Sequence, residues 1–264
     1  MSFRSHLQKL AERGLLVEVN APISREYEIA GVLKQLEPKP VLFSQVKESR
    51  FRVAGNLFTS KAAFADYFGV STKDIIPLLS DAIDHRSQPE VIEHAACQDV
   101  VDLAPDLDRL PILLHCVGDG GRYISSGVFA ARHPRYGQNL DFHRCMQFSK
   151  KEMAVRVVRS RHFDAFLREL GQVDVAVCVG NPPNVLAAAA TSVGLGVDEL
   201  EIANALEPLQ VVKARTVDVY IPAEAEFVLE GTVYLDRRHA EGPFVDLTET
   251  QDIIRQEPVF FNEL

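Results

Sequence analysis

Five short segments carry side chains that could do chemistry. In Asn139-Leu140-Asp141-Phe142-His143-Arg144, strand alternation puts Asn139, Asp141 and His143 on one face. Phe142 and Arg144 fall on the other unless a bulge intervenes. Asn139 offers an amide oxygen to a hard cation, and Arg144 could clamp a carboxylate bidentately. Arg161-His162 opens the next helical segment. A helix N-terminus favours anions, and an imidazole there could ligate a metal or meet a phosphate. Glu199, in Gly196-Val197-Asp198-Glu199-Leu200-Glu201, lies in the first turn of a predicted helix, where the dipole favours a carboxylate. Glu241-Gly242-Pro243-Phe244-Val245-Asp246 sets two carboxylates five residues apart around a Gly-Pro turn. The turn can fold both into one cleft. Beside an arginine, such a pair can work as an acid/base device, one acid held ionised and the other tuned as a proton donor. Gly118-Asp119-Gly120-Gly121 is a strong turn signal. Taken singly, each segment also fits a plainer role: a solvated strand face, a capping histidine, favourable dipole placement, a tight turn. The chain has no G-x-G-x-x-G after a strand, no Walker loop, no H-E-x-x-H and no G-x-S-x-G.

The elements that must position these groups can be read from periodicity and breakers. In the first 90 or so residues helix and strand signals alternate. Phe3, Leu7 and Leu10 recur at helical spacing before Gly14, Leu15–Val19 reads as a strand, and Ser24 can cap a helix through Ile29, Val32 and Leu33. Strands are expected at 40–43 and 51–53, and helices after Ser60 and Ser71. From about 86 to 111 the chain turns polar and carries Pro89, Pro105 and Pro111, the signature of a linker or domain boundary. Strands then dominate: 123–132, 139–148, 153–158, 173–179, 209–221 and 226–235. A short helix closed by Gly171 and an alanine-rich helix opened by Pro182-Pro183 lie among them. The expected fold is α/β (α+β), with an N-terminal α/β domain over 1–100 and a second domain over 101–264.

Bulk properties narrow the function. A chain of 264 residues, 47% hydrophobic and 25% charged, can bury a real core. Its net charge of −9 argues against a nucleic-acid binder or an anionic membrane surface. No run approaches the ~20 apolar residues of a membrane span. Met1–Leu7 has no apolar signal core, so a cytoplasmic location is expected. Cys97, Cys116, Cys145 and Cys178 form no C-x-x-C pair and read as reduced thiols.

Taken in order, these segments resemble the UbiD family of prenylated-flavin-dependent (de)carboxylases. The resemblance runs through Gly55-Asn56-Leu57-Phe58, Leu110-Pro111, Gly118 to Ile124, the 139–144 strand, Gly180 to Pro183 and Gly196 to Glu199. It continues through Val212-Lys213, Thr216-Val217-Asp218, Ile221 to Glu226, Leu229-Glu230-Gly231 and Glu241 to Phe244. The resemblance implies a split β-barrel of the flavin-reductase-like, FMN-binding type over 101–264. It assigns Asn139, His162 and Glu199 to a divalent metal, Mn²⁺ or Mg²⁺, which bridges protein to the cofactor phosphate, often with K⁺ nearby. Hard oxygens and one imidazole suit such an ion. It places Asp141, Phe142, Arg161 and Thr191, with Asn139, Arg144, His162 and Glu199, against prenylated FMN. Arg144, Glu241 and Asp246 match the family's Arg-Glu-acid catalytic network.

The activity so implied is reversible decarboxylation of an aromatic or α,β-unsaturated carboxylic acid through a covalent prenylated-FMN adduct. Asp246 would donate the proton, and Arg144 with Glu241 would orient the carboxylate. A UbiX-type flavin prenyltransferase would supply the cofactor. Three residues depart from the family pattern: Asp141 where Ser or Gly is commoner, Asp246 rather than Glu, and Val245 for Gly. The family's C-terminal domain, which closes the pocket, drives oligomerisation and supplies a phosphate-binding lysine, is absent before Leu264. The chain is therefore expected to be a fragment or one subunit of a split enzyme, to expose an apolar patch, and to form a homo-oligomer or pair with a partner supplying that domain. The alternative is a non-catalytic accessory subunit that keeps the fold and pairs with a full-length homologue.

Overall fold

The computed structural model describes residues 1–246 and 248–262. Its first third contains α1 (Phe3–Glu12), β1 (Val17–Val19), α2 (Glu28–Leu36), β2 (Val41–Phe43), β3 (Val53–Gly55), α3 (Lys61–Phe68) and α4 (Ile75–Asp84). Ser2 and Ser60 start α1 and α3 by accepting the N–H groups of Ser5 and Ala63. Ser24 does not cap α2 as expected. The helix begins four residues later, because the Glu28 carboxylate takes the Ser24 N–H and the Ser24 hydroxyl donates to Glu48. Strands β1 and β2 pair parallel, β2 and β3 antiparallel. The fully buried Ile29, Val41 and Phe43 form the core of this unit.

The remainder runs β4 (Glu90–Ile92), β5 (Arg122–Ile124), β6 (Val128–His133), β7 (Gly137–Phe142), β8 (Cys145–Gln147), β9 (Glu152–Val155), α5 (His162–Leu170), β10 (Gln172–Val179), α6 (Pro183–Ala189) and α7 (Glu199–Leu206). It ends with β11 (Gln210–Lys213), β12 (Tyr220–Pro222), β13 (Phe227–Glu241), β14 (Phe244–Val245), β15 (Gln251–Asp252) and β16 (Arg255–Asn262). The stretch expected to be a linker or domain boundary is ordered: β4 pairs with β11, and Leu107 is buried. Its prolines sit between short elements rather than in free chain. All four cysteines are free thiols, with Cys145 and Cys178 buried. No helix among the described residues is long and apolar enough to cross a membrane.

Eight strands form one antiparallel sheet in the order β5-β8-β9-β16-β13-β10-β6-β7. This order shows that the sheet curls. Two residues separate β7, at one end, from β8, next to the other end. Three Cα steps span at most ~11 Å, whereas six strand spacings laid flat would cover ~29 Å. The two ends must therefore approach each other. The three-residue step from β5 to β6 imposes the same closure.

That closure corrects two expected strands, and a turn splits a third. The 123–132 run breaks at Ser125-Ser126-Gly127, and the 139–148 run at His143-Arg144, because at each break the chain changes sheet neighbours. The 209–221 run is an antiparallel pair, β11 and β12. Strand β13 runs past 235 to Glu241 because three residues bulge out between the Tyr234–Val259 and Arg238–Pro258 pairs. Pro258 has no N–H to continue the ladder there.

Alternation divides the core in two. Val128, Ala130, Ala176 and Cys178 face α6 and α7. Phe129, Ala131, Val175 and Val177 face α5 through Phe163, Phe166 and Leu167. The glycine-rich turn is locked against the Glu241–Phe244 segment: the Gly120 N–H donates to the Pro243 carbonyl at 2.7 Å. The space a Cβ at Gly120 would need is taken by the Gly242 carbonyl.

Two stability predictions follow from this packing. Phe129→Ala empties a fully buried site and should cost about 3–5 kcal/mol in urea unfolding. Gly120→Ala should cost about 1–3 kcal/mol by the same measurement, because backbone must move to admit the methyl; an unchanged midpoint would refute the lock.

Candidate active site

Strand β7 is an edge of the sheet and carries Asn139, 2% exposed, on its inward side. Helix α5 starts at His162, whose Nδ1 lies 2.8 Å from Asn139 Oδ1. Helix α7 starts at Glu199, whose Oε2 accepts the Leu140 N–H at 2.7 Å. An edge strand leaves alternate N–H groups unpaired, and this carboxylate takes one of them. Asp198 caps the same helix by accepting the Leu200 N–H. Of the three residues expected to hold a cation, Asn139 and His162 are thus in contact, and Glu199 reaches the backbone of the same strand one residue on.

The electrostatics of this cluster suit a cation. Burial, aided by the nearby Asp141 and Asp198, pushes the Glu199 carboxyl up to about 8 against the pull of the Leu140 N–H. Burial likewise raises Asp198 to about 6. Glu199 pairs with no cationic side chain among the described residues. The buried Asn139 Nδ2 has no hydrogen-bond partner among the described residues. An amide oxygen, an imidazole and an uncompensated carboxyl, all hard or borderline donors, fit Mn²⁺ or Mg²⁺. Asp141 is engaged elsewhere: its Oδ1 lies 2.9 Å from His143 Nε2. Burial disfavours charge on His143, but Asp141, the Arg156 carbonyl and Glu257 together outweigh it and the net shift is upward.

The other expected cofactor contacts border this cluster. Phe142 is exposed at the end of β7. Arg161, also exposed, precedes α5 and reaches Ser192 Oγ at 3.4 Å. Thr191, half-buried beside Ser192, donates its hydroxyl to the Ala188 carbonyl at 2.7 Å.

The second cluster is built on Arg144, in the break between β7 and β8. Its Nε and Nη2 donate to the two oxygens of Glu241 at 2.9 and 3.1 Å, a bidentate pair with a fully buried carboxylate. The Tyr123 hydroxyl donates to Glu241 Oε1 at 3.0 Å. Beside that carboxylate, in a buried site, the Tyr123 pKa lies far above its ordinary value. Arg144 stacks 4.6 Å above the Phe244 ring. Burial opposes its charge, but Glu241 and Asp252 more than offset this.

Asp246 is exposed in the β14–β15 turn, its N–H donating to the Thr250 carbonyl. The acid that contacts Arg144 alongside Glu241 is Asp252, at 2.7 Å from Nη2. Strands β14 and β15 form a ribbon that pairs Phe244 with Asp252, so the chain doubles back over the arginine. A hairpin reading of 244–252 would have found it. Two surface clefts, of about 500 Å³ beside Tyr234 and about 650 Å³ beside Val32, contain none of these side chains. Chemistry, rather than cavity shape, picks out the site.

Residues 7–83 match the 3-octaprenyl-4-hydroxybenzoate carboxy-lyase N-terminal domain, and residues 90–262 the Rift-related domain of the same enzymes. An anhydromevalonate phosphate decarboxylase of Methanothermobacter thermautotrophicus is 34% identical over 97% of this chain and 61% of its own length. The UbiD-class enzyme HmfF of Pelotomaculum thermopropionicum, in an evolved dimeric form in complex with prFMN, superposes with TM-score 0.95. It is 31% identical, over 99% of this chain and 64% of that one. Vanillic acid decarboxylase of Sedimentibacter hydroxybenzoicus, in its closed form, gives TM-score 0.93 at 25% identity, over 99% and 61%. The chain spans rather less than two thirds of the length of these relatives. With both family models matched in order and the fold shared end to end, the chain belongs to the UbiD carboxy-lyase family.

Proposed function

We propose that this chain forms the cofactor-binding part of a UbiD-type decarboxylase acting on an aromatic or α,β-unsaturated carboxylic acid, with 1–100 as an N-terminal unit. The curled sheet of 101–264 would serve as a flavin-reductase-like split barrel. The observation that carries the reading is the buried Arg144–Glu241 pair at the end of the strand that also bears Asn139. When bound, prenylated FMN supplies an electron sink for the breaking C–C bond. Asn139, His162 and Glu199 would hold Mn²⁺ or Mg²⁺ at its phosphate, with K⁺ nearby, and Asp141, Phe142, Arg161 and Thr191 would line the site.

Arg144 would orient the substrate carboxylate, and Glu241 fixes its plane through the bidentate pair. Tyr123 and the bidentate pair keep Glu241 committed to that task. Asp246, exposed in the β14–β15 turn, would be the acid that delivers a proton to the carbon that loses CO₂. The relatives named for anhydromevalonate phosphate support acids carrying a phosphate among the candidates. A homo-oligomer, or a partner subunit, would complete the substrate pocket.

Protein co-expressed with a UbiX-type flavin prenyltransferase and purified with Mn²⁺ should carry flavin absorbance and bound metal. His162→Ala or Glu199→Gln should lower retained metal at least tenfold by elemental analysis. Glu241→Gln should keep the flavin yet lose about 10²-fold or more in turnover of an accepted acid. Full activity of Glu241→Gln within a complex would favour the accessory-subunit reading instead.

A further inference from the structure

Asp252 stands where a substrate carboxylate would dock. A guanidinium offers two forks: Nε with one Nη, and the Nη1/Nη2 edge. Glu241 fills the first, from Nε and Nη2. The remaining N–H of Nη2 belongs to the second fork, and Asp252 Oδ2 accepts it at 2.7 Å. Nη1 donates to no protein group among the described residues. Asp252 therefore holds half of the only fork left for an incoming carboxylate.

The residue is also built to let go without becoming loose. Its other oxygen, Oδ1, takes Arg255 Nη1 at 2.7 Å and the Ile253 N–H at 2.8 Å. Arg255, then Arg144 and the Ile253 N–H, hold its carboxyl well below the usual range, so it is an anion competing for a cation. Losing the Arg144 contact would leave both Oδ1 bonds in place. Asp252 sits on a two-residue strand beside the exposed Ile253 and Ile254, and it packs opposite Phe244, the ring beneath Arg144.

We propose that Asp252 is a placeholder carboxylate: it satisfies the outer fork of Arg144 in the empty site, yields to the carboxylate of the substrate, and so sets affinity and selectivity for carboxylate ligands. This rests on Arg144 as the carboxylate anchor, and Asp252 acts through it as a positioning residue.

The test uses benzoate as probe and benzamide as its uncharged control, titrated calorimetrically into the full chain loaded with flavin and Mn²⁺ as purified. Asp252→Asn and Asp252→Ala should each tighten benzoate binding about tenfold, the worth of a competing charge-assisted hydrogen bond. Benzamide binding should not change. A merely structural role would weaken both ligands or move neither. Unchanged or weaker benzoate binding in both variants overturns the proposal, as does benzoate binding in none of the proteins. Arg144→Met separates the underlying reading: if it leaves benzoate affinity intact, the anchor itself is wrong, whatever the Asp252 variants do.

Discussion

A carboxylate with no solvent exposure, Glu241, must be neutralised by a partner delivered from elsewhere in the chain. Arg144 does this with two hydrogen bonds, and Tyr123 adds a third. Removing one member of such a pair costs about 3–5 kcal/mol, because the other stays buried and charged. Glu241 lies at the end of a fifteen-residue strand, Arg144 in a two-residue break, and Tyr123 on the far edge strand. They can meet only if the sheet curls until its ends approach. The ion pair and the curvature each require the other.

The same break couples the two clusters. From Asn139 to Arg144 the chain passes from the Asn139–His162 contact to the arginine within six residues. His143 pins the turn between them, its ring bracketed by Asp141, the Arg156 carbonyl, Phe129 and Phe163. Side chains packed this closely have few alternative rotamers, so the separation of the two clusters is fixed by the core rather than by loops. Sites on rigid elements hold their geometry better than sites on loops.

Much of this was legible in the sequence. Helix starts at Ser60, Pro183, His162 and Glu199 announced themselves through capping chemistry and periodicity, and α5 closes at Gly171 as expected. Asn139, His162 and Glu199 stand out through the family resemblance rather than through any local signal. What could not be read was which strands neighbour which. Alternation reports that a residue faces inward, and says nothing about a change of sheet edge, so the runs at 123–132 and 139–148 looked continuous. Asp252 was missed for the same reason: a ribbon of two residues a side is too short to leave a periodic signal. The glycine-rich turn was recognised, but its partner, the Gly242 carbonyl, lies more than a hundred residues away and leaves no local trace.

Strand β7 would otherwise present open donors to any passing chain, which is how sheets come to stack edge to edge into insoluble polymers. At Leu140 that opening is stoppered by Glu199. One acidic side chain thus closes, from the first turn of a helix packed on the edge, a backbone donor that the sheet itself leaves without a strand partner.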